Sequence, residues 1–454
     1  MAARLARYYL IALLFFCWGM AAARFEVFPW KPIAAVSGEV AAFVRGDPGE
    51  TTGLLQKIGN DAGLSPQRFL RPYDAGTLEG YRPLLLPAAR ARREAPMLRV
   101  DPAEGSPQRI IVGAFDFEDA FWGALLLDDQ GRVVHRWPLR GEDTGLNEIS
   151  DVLKNLYGVA FFPDGSAIFN LQEVNGGLTK VDACGQVLWA KAGDYHHVVS
   201  PTEDFRAFWT FGGLQEDLHP HLLLIDAASG QTLRDIDMRE VARANPEIFL
   251  FDLQRESAVA HATHPNDIEP LSAALAAAFP GFAPGDLAVS YHTTNLIFVL
   301  DPVTLEIKWW YSGAGDGQHD PDWEADGTIT IFNNRWRDDR RGSEPASTIV
   351  AIDPRSHSHH TLLDGARYGF YSRTNGRHQV TDRGSVLVTS SRQGRVFEVD
   401  LKNGEVIFDF VNVYDRAAGQ TLHLSEAFAL RPDFFTTDAF ESCQSQLAQN
   451  GGNP

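Results

Sequence analysis

Six times along the chain an apolar run ends in an aspartate, passes through a short turn and continues as a strand. The copies are LLLDDQGRVVHRW at Asp128, LTKVDACGQVLW at Asp182, LLIDAASGQTLRDI at Asp226, FVLDPVTLEIKWW at Asp301, VAIDPRSHSHHTL at Asp353 and FEVDLKNGEVIFDF at Asp400. A spacing of roughly 45 to 55 residues suits a four-stranded propeller blade better than a solenoid repeat. The segments therefore read as the outer hairpins of six blades. The interval from Asp226 to Asp301 is longer and contains Pro270 to Pro284, PLSAALAAAFPGFAP, whose alanine-rich centre predicts a helical insertion.

Another strand, itself preceded by a turn, stands before most copies: FFPDGSAIFNL, SPTEDFRAFWTF, GDLAVSYH, ADGTITIFNN and DRGSVLVTSS. Innermost strands of a propeller line its channel, and the loops leading into them sit at one rim. Several of these loops carry histidine: His196 and His197, His264, His319 and His378. Equivalent blade positions converge in space, so these imidazoles are expected to form one cluster. The densest stretch is Gln318 to Arg335, in which His319 is expected in the loop entering the strand Thr328 to Phe332 and Arg335 in the loop leaving it. Asn266 beside His264, Asn333 and Asn334 before Arg335, and His292 at a strand end complete the candidates, with Asp267, Glu269, Asp320 and Asp322 as accompanying carboxylates. The bland alternative is a set of channel residues bonded to one another and to water. His357, His359 and His360 fall in an outer turn and read as solvated.

Composition narrows the function. The 454 residues carry 40 Lys and Arg against 59 Asp and Glu, a net charge of −19, which speaks against a nucleic-acid-binding surface. No HExxH, GxSxG or glycine-rich phosphate loop occurs, which removes zincin, α/β-hydrolase and P-loop readings. Tyr8 to Ala23 is an uncharged, largely apolar run behind Arg4 and Arg7, so the remainder is expected to be exported. It reads as a single-pass inner-membrane anchor, with a cleaved signal peptide as the alternative, and the bulk of the chain in the periplasm. Cys17 lies in that run, leaving Cys184 and Cys443 either as a pair in an oxidising compartment or as two separate thiols. The expected division is an anchor or signal peptide over 1–30, a helical or irregular stalk over 31–106, a propeller over 107–435 and a flexible tail over 436–454. The fold class is thus all-β, a six-bladed β-propeller with an N-terminal transmembrane helix and a short helical stalk.

A histidine ring with an arginine suits two kinds of chemistry. One is transfer of a small anionic group, with one imidazole as nucleophile, another as general acid, and arginine and amides holding the developing charge. The other is metal coordination by histidine and carboxylate. The segments HPNDIEP, GDLAVSYHTTNLIFVLDPVTLEIKWW and QHDPDWEADGTITIFNNR resemble the bacterial arylsulfotransferase family of six-bladed propellers. The resemblance spans about residues 150 to 430, and less specifically extends to membrane-tethered members. It implies a periplasmic enzyme that moves a sulfuryl group from an aryl sulfate to a phenol through a sulfated histidine, with no nucleotide sulfate donor, no cofactor and no metal. Carried over by position, His378 is the nucleophile, and His264, His319 and Arg335 stabilise the sulfuryl oxygens or protonate the phenolate. Asn266, His197, His292, Asn333 and Asn334 are the substrate-binding candidates. Two departures stand out: Phe332-Asn333-Asn334-Arg335 replaces FDNG with a more distant arginine, and Tyr291-His292 stands where many members have serine and arginine. The alternative from another class is a non-catalytic, membrane-anchored propeller that binds a ligand, metal or protein partner.

Overall fold

The computed structural model describes residues 66–68, 78–86, 94–101, 107–117, 121–139, 144, 146, 156–171, 176–213, 221–248, 250, 264–336, 346–417, 419–441 and 443. They form a six-bladed β-propeller, as the repeat predicts. Every blade is an antiparallel sheet whose first strand faces the axis, and the six inner strands stand side by side in a closed ring. Blades 2 to 6 begin with the inner strands Leu156–Phe161, Tyr195–Pro201, Pro265–Pro270, His319–Trp323 and Arg377–Val380. Blade 1 takes its inner strand from the other end of the chain: Leu424–Leu430 pairs with Gln108–Phe115, and Phe121–Leu127 and Val133–Leu139 follow outward.

The aspartate repeat has a local cause. In all six blades the aspartate is the last residue of the third strand or the residue directly after it, and its side chain accepts backbone N–H groups from the turn into the fourth. Asp128 takes those of Gln130 and Arg132, Asp182 those of Cys184 and Gln186, and Asp301 those of Val303 and Thr304. Asp226, Asp353 and Asp400 do the same towards Ser229, Arg355 and Lys402. Aspartate is favoured there because its short carboxylate mimics a backbone turn. These hairpins lie on the outside, so their fourth strands stay partly exposed, as Thr232–Asp237 does. Second strands such as Ala207–Gly212 are apolar and buried throughout, being covered on both faces.

Neighbouring blades bury a separate core at each seam. Val198, Phe211 and Leu222 meet Ile268, Val289 and Phe298 between blades 3 and 4, and Phe332 and Ile349 meet Val388 and Phe397 between blades 5 and 6. At the closing seam the fully buried Arg109 donates from Nε to Glu398 at 2.8 Å, and Asn412 Nδ2 reaches Ala114 O at 2.7 Å. A buried charge requires such a partner, so this pair ties blade 1 to blade 6.

Three expectations are corrected. The stretch 31–106, read as stalk, contributes Met97–Val100 and Arg82–Pro83, which extend blade 6 to six strands, and Pro66–Arg68, which pairs with Gln420–Leu422. Its Pro, Gly and Arg content conceals short edge strands. The Pro270 to Pro284 insertion forms a single 3₁₀ turn, Ala276–Ala278, between the first two strands of blade 4. Part of the stretch 436–454, read as tail, is bound to blade 2: Thr436 N donates to Pro163 O, and Cys443 is bridged to Cys184 with a Cα–Cα distance of 5.1 Å. No helix among the described residues is long and apolar enough to cross a membrane. The expected Tyr8 to Ala23 span lies outside them.

A bridge across 259 residues restricts the unfolded chain and is expected to add about 2–5 kcal/mol. Cys443→Ser should therefore melt below the wild type, and a reductant should lower the wild type to the level of the variant without affecting the variant. Equal melting of the two under oxidising conditions would remove this stabilising role.

Candidate functional site

Regular strands send successive side chains to opposite faces, so a strand edge-on to a channel shows it little. Here the inner strands break that rule. Pairing of inner with second strand slips between Leu156 and Gly158, His196 and Ser200, Pro265 and Asp267, His319 and Asp322, and Leu424 and Glu426. A bulge re-aims the side chain that has left the ladder. Tyr157, His197, Asn266, His319, Arg377 and Ser425, one from each blade, line a narrow neck on the axis. His197, His264 and Asp320 have φ of 55°, 46° and 60°, a left-handed backbone that side-chain-bearing residues adopt at a cost of about 1–3 kcal/mol. Gly158 permits the close approach of blade 2, since a Cβ there would lie 2.0 Å from His197 O.

Six imidazoles crowd this end among the described residues, His423 from the blade 1 side included. His197 Nε2 and His264 Nε2 are 3.0 Å apart, so one donates to the other, and His196 Nδ1 donates to Pro265 O at 3.0 Å. His292 stands between His264 and His319, with ring centroids 5.2 and 5.3 Å away. The state of the His319 ring is fixed from outside. Asn334 donates its Nδ2 to Ser372 O at 2.8 Å and Asn375 O at 2.5 Å, which orients its amide. Its Oδ1 then faces His319 Nδ1 at 2.7 Å and can only accept. His319 therefore carries its proton on Nδ1 and keeps a lone pair on Nε2. Asn266 donates Nδ2 to Gln318 O at 2.7 Å, and its fully buried Oδ1 has no hydrogen-bond partner among the described residues.

The opposite end of the channel is a different environment. Arg377 lines both the neck and a chamber of about 770 Å³ beyond it, binding Asp267 and, at 2.7 Å, Asp320. Glu269, Asp322, Glu324 and Glu426 face this chamber, with Phe161, Trp323 and Phe434 supplying apolar wall. His378 belongs here. Its Nδ1 is 2.8 Å from Asp320 Oδ2 and its Nε2 is 2.8 Å from Thr330 Oγ1, which in turn donates to Glu324 at 2.6 Å. Both ring nitrogens are thereby held. Asp320, Asp322 and His378 have donor atoms within 4.8 Å of one another, but Asp320 is already shared among Arg377, the His378 backbone N–H and its ring.

Withdrawal from water governs the charge at both ends. Burial, reinforced by His196, His264 and His319, holds His197 well below its ordinary value. Burial takes His319 down to about 4 although Asn334 acts the other way, and His423, with Arg392 nearby, down to about 3. In the chamber, burial and then Asp320 raise Glu269 to about 8; burial also raises Glu426 to about 8, opposed by Arg377. Asp322 stands well above its usual range for the same first reason, with Asp320 and Glu269 adding to it.

The structure brings His197, His264, His292, His319, Asn266 and Asn334 together at the neck end, and sets His378 in the chamber. Arg335 is half-buried at the rim with φ 52°, and Asn333 holds the loop by accepting from Asp316 N. The expected loop position of His319 is corrected: it is the first residue of the inner strand, and Ile329–Asn333 is the second strand. HDPDW lacks strand pattern because a bulge and a proline occupy it. Sequence reasoning missed Arg377, Arg392, Glu426 and His423. Of these, RHQV offered only a basic residue beside His378, and His423 follows no turn.

The chamber acids yield a test. Glu269 and Glu426 keep protons in the folded state that the unfolded chain loses near its ordinary pKa of about 4.3. Their contribution is complete below that value and disappears as pH rises through about 8. The melting temperature should fall between about pH 5 and about pH 9, and Glu269→Gln with Glu426→Gln should flatten the fall. An unchanged profile in the double variant would contradict the assignment.

No curated protein matches the chain in sequence. Among solved structures it is similar to a protein of unknown function from Bacteroides caccae, at 13% identity over 71% of this chain and 98% of that one with a TM-score of 0.46. It is also similar to TolB from Acinetobacter baumannii, at 11% identity over 71% and 68% with a TM-score of 0.44. Neither likeness bears on the site. The family model for arylsulfotransferase (ASST) matches residues 221–413, from the third strand of blade 3 to the end of blade 6. Through that stretch, which carries His264, His319, Asn334 and His378, the chain is similar to the arylsulfotransferase family.

Proposed function

We propose that the neck transfers a sulfuryl group from an aryl sulfate to a phenol through a sulfated histidine, and that His319 is the nucleophile. The observation that carries this is the Asn334 amide, held by two carbonyls and committed as acceptor to His319 Nδ1. It presets the neutral tautomer with the lone pair on Nε2, the form a nucleophilic imidazole needs. His378, the nucleophile by carry-over of position, has a carboxylate on one ring nitrogen and a hydroxyl on the other. It serves this reading better as a part of the chamber wall.

In the first step His319 Nε2 attacks sulfur, the sulfur–oxygen bond to the aryl group breaks, and the phenolate departs. The Nδ1–H bond to Asn334 disperses the positive charge left on the ring. In the second step an acceptor phenol gives its proton to an imidazole of the His197–His264 pair as its oxygen attacks sulfur. The nitrogen–sulfur bond breaks, its electron pair returns to Nε2, and the first phenolate takes up the proton. Asn266 Oδ1 is placed to accept from the phenol hydroxyl, and Arg392 and Arg335 bring positive charge to the sulfuryl oxygens. The Cys184–Cys443 bridge supports an exported, oxidising location; membrane attachment through Tyr8 to Ala23 belongs to the same proposal.

Turnover of a chromogenic aryl sulfate with a phenol acceptor tests the assignment. His319→Ala should lose it by on the order of a thousandfold or more, His378→Ala should retain most of it, and Asn334→Ala should lower kcat with little change in KM. Loss in His378→Ala with survival in His319→Ala would reverse the roles, and no release by the wild type from several donors would remove the reaction.

A further inference from the structure

We propose that His196, His197 and His264 form a binding site for one divalent transition-metal ion of the zinc, cobalt or nickel class. One ring nitrogen from each residue lies within 4.8 Å of the other two, and the His197 and His264 nitrogens are 3.0 Å apart. A tetrahedral ion with bonds of about 2.0–2.1 Å sets its ligand nitrogens about 3.4 Å apart, so small ring movements convert this arrangement into a coordination shell. The rings meet edge-on, with interplanar angles of 73°, 85° and 65°, which is the disposition of imidazoles converging on a centre rather than stacking.

The backbone is built to produce this convergence. His196 and His197 are adjacent, and a regular strand would separate them onto opposite faces. The bulge between His196 and Ser200 and the left-handed φ of His197 instead bring the two rings to a centroid distance of 4.1 Å. His264 has a left-handed φ as well. The hydrogen bond from His196 Nδ1 to Pro265 O fixes the tautomer and leaves Nε2 as the donor, the outer support that metal-binding imidazoles commonly have. An independent feature points to a missing partner: the buried, neck-lining Asn266 Oδ1 is an oxygen without a hydrogen bond among the described residues. It can accept from a metal-bound water. An all-imidazole set favours borderline ions and disfavours magnesium and calcium, which take oxygen ligands.

The ligand set shares His197 and His264 with the proton-accepting pair of the proposed transfer but not its nucleophile His319, so a bound ion would compete with the acceptor step and leave His319 uncoordinated. Titration of the metal-stripped full-length protein with cobalt(II), read by the visible absorption of tetrahedral cobalt and by metal analysis after dialysis, tests it. One equivalent should bind, and His197→Ala and His264→Ala should each abolish the spectrum. His319→Ala and the double variant His359→Ala, His360→Ala should retain it. Thermal melting verifies that each variant is folded; if His264→Ala is not, His196→Gln takes its place and should also lose the ion. Absence of the spectrum in the wild type, or binding that disappears with His359 and His360 instead, would overturn the proposal. Neither outcome depends on whether an aryl sulfate is turned over.

Discussion

Closure of the blade ring is the constraint on which the site depends. Strand Leu424–Leu430 crosses almost the whole chain to pair with Gln108–Phe115, and only this pairing makes six inner strands share an axis. Arg109 with Glu398 and Asn412 with Ala114 secure the adjoining seam. Groups from residues as distant as Tyr157 and Ser425 then meet in one neck. A propeller alone would present an ordinary pleated wall; the bulges in five inner strands turn that wall into a ring of side chains.

The channel is polarised by what each end excludes. Imidazoles and amides gather at the beginnings of the inner strands, and carboxyl groups gather at their ends. Arg377, bound to Asp267 and Asp320, stands between the two. The arginine consumes its charge on those acids, so it separates the compartments instead of serving as an open anion site. This arrangement is compatible with the proposed sulfate-ester site in a chain of net charge −19: the acids nearest the axis are either paired with Arg377 or held in a chamber that keeps them protonated further into the neutral range.

Much of the architecture was legible in the sequence because its signals are local. Each aspartate at Asp128, Asp182, Asp226, Asp301, Asp353 and Asp400 closes its own turn, so six blades can be counted without knowing how they pack. His264 and His319 were legible as neighbours because blade repetition carries them to the same end. What could not be read depends on register across strands. The bulge that turns His197 onto the same side as His196, and the separation of His378 from the other imidazoles, follow from pairings between strands that no local pattern records. Arg377 and His423 were missed for that reason, and the edge strands Arg82–Pro83 and Met97–Val100 because two to four residues carry no periodicity.

The central claim is that the Asn334-oriented imidazole receives the sulfuryl group. The most direct measurement is a single turnover with an aryl sulfate in the absence of acceptor, followed by peptide mass mapping of the trapped adduct under alkaline conditions. The account predicts one sulfuryl group per chain, on His319, released when phenol is added. A modification on His378, or on any residue of the acidic chamber, would contradict it.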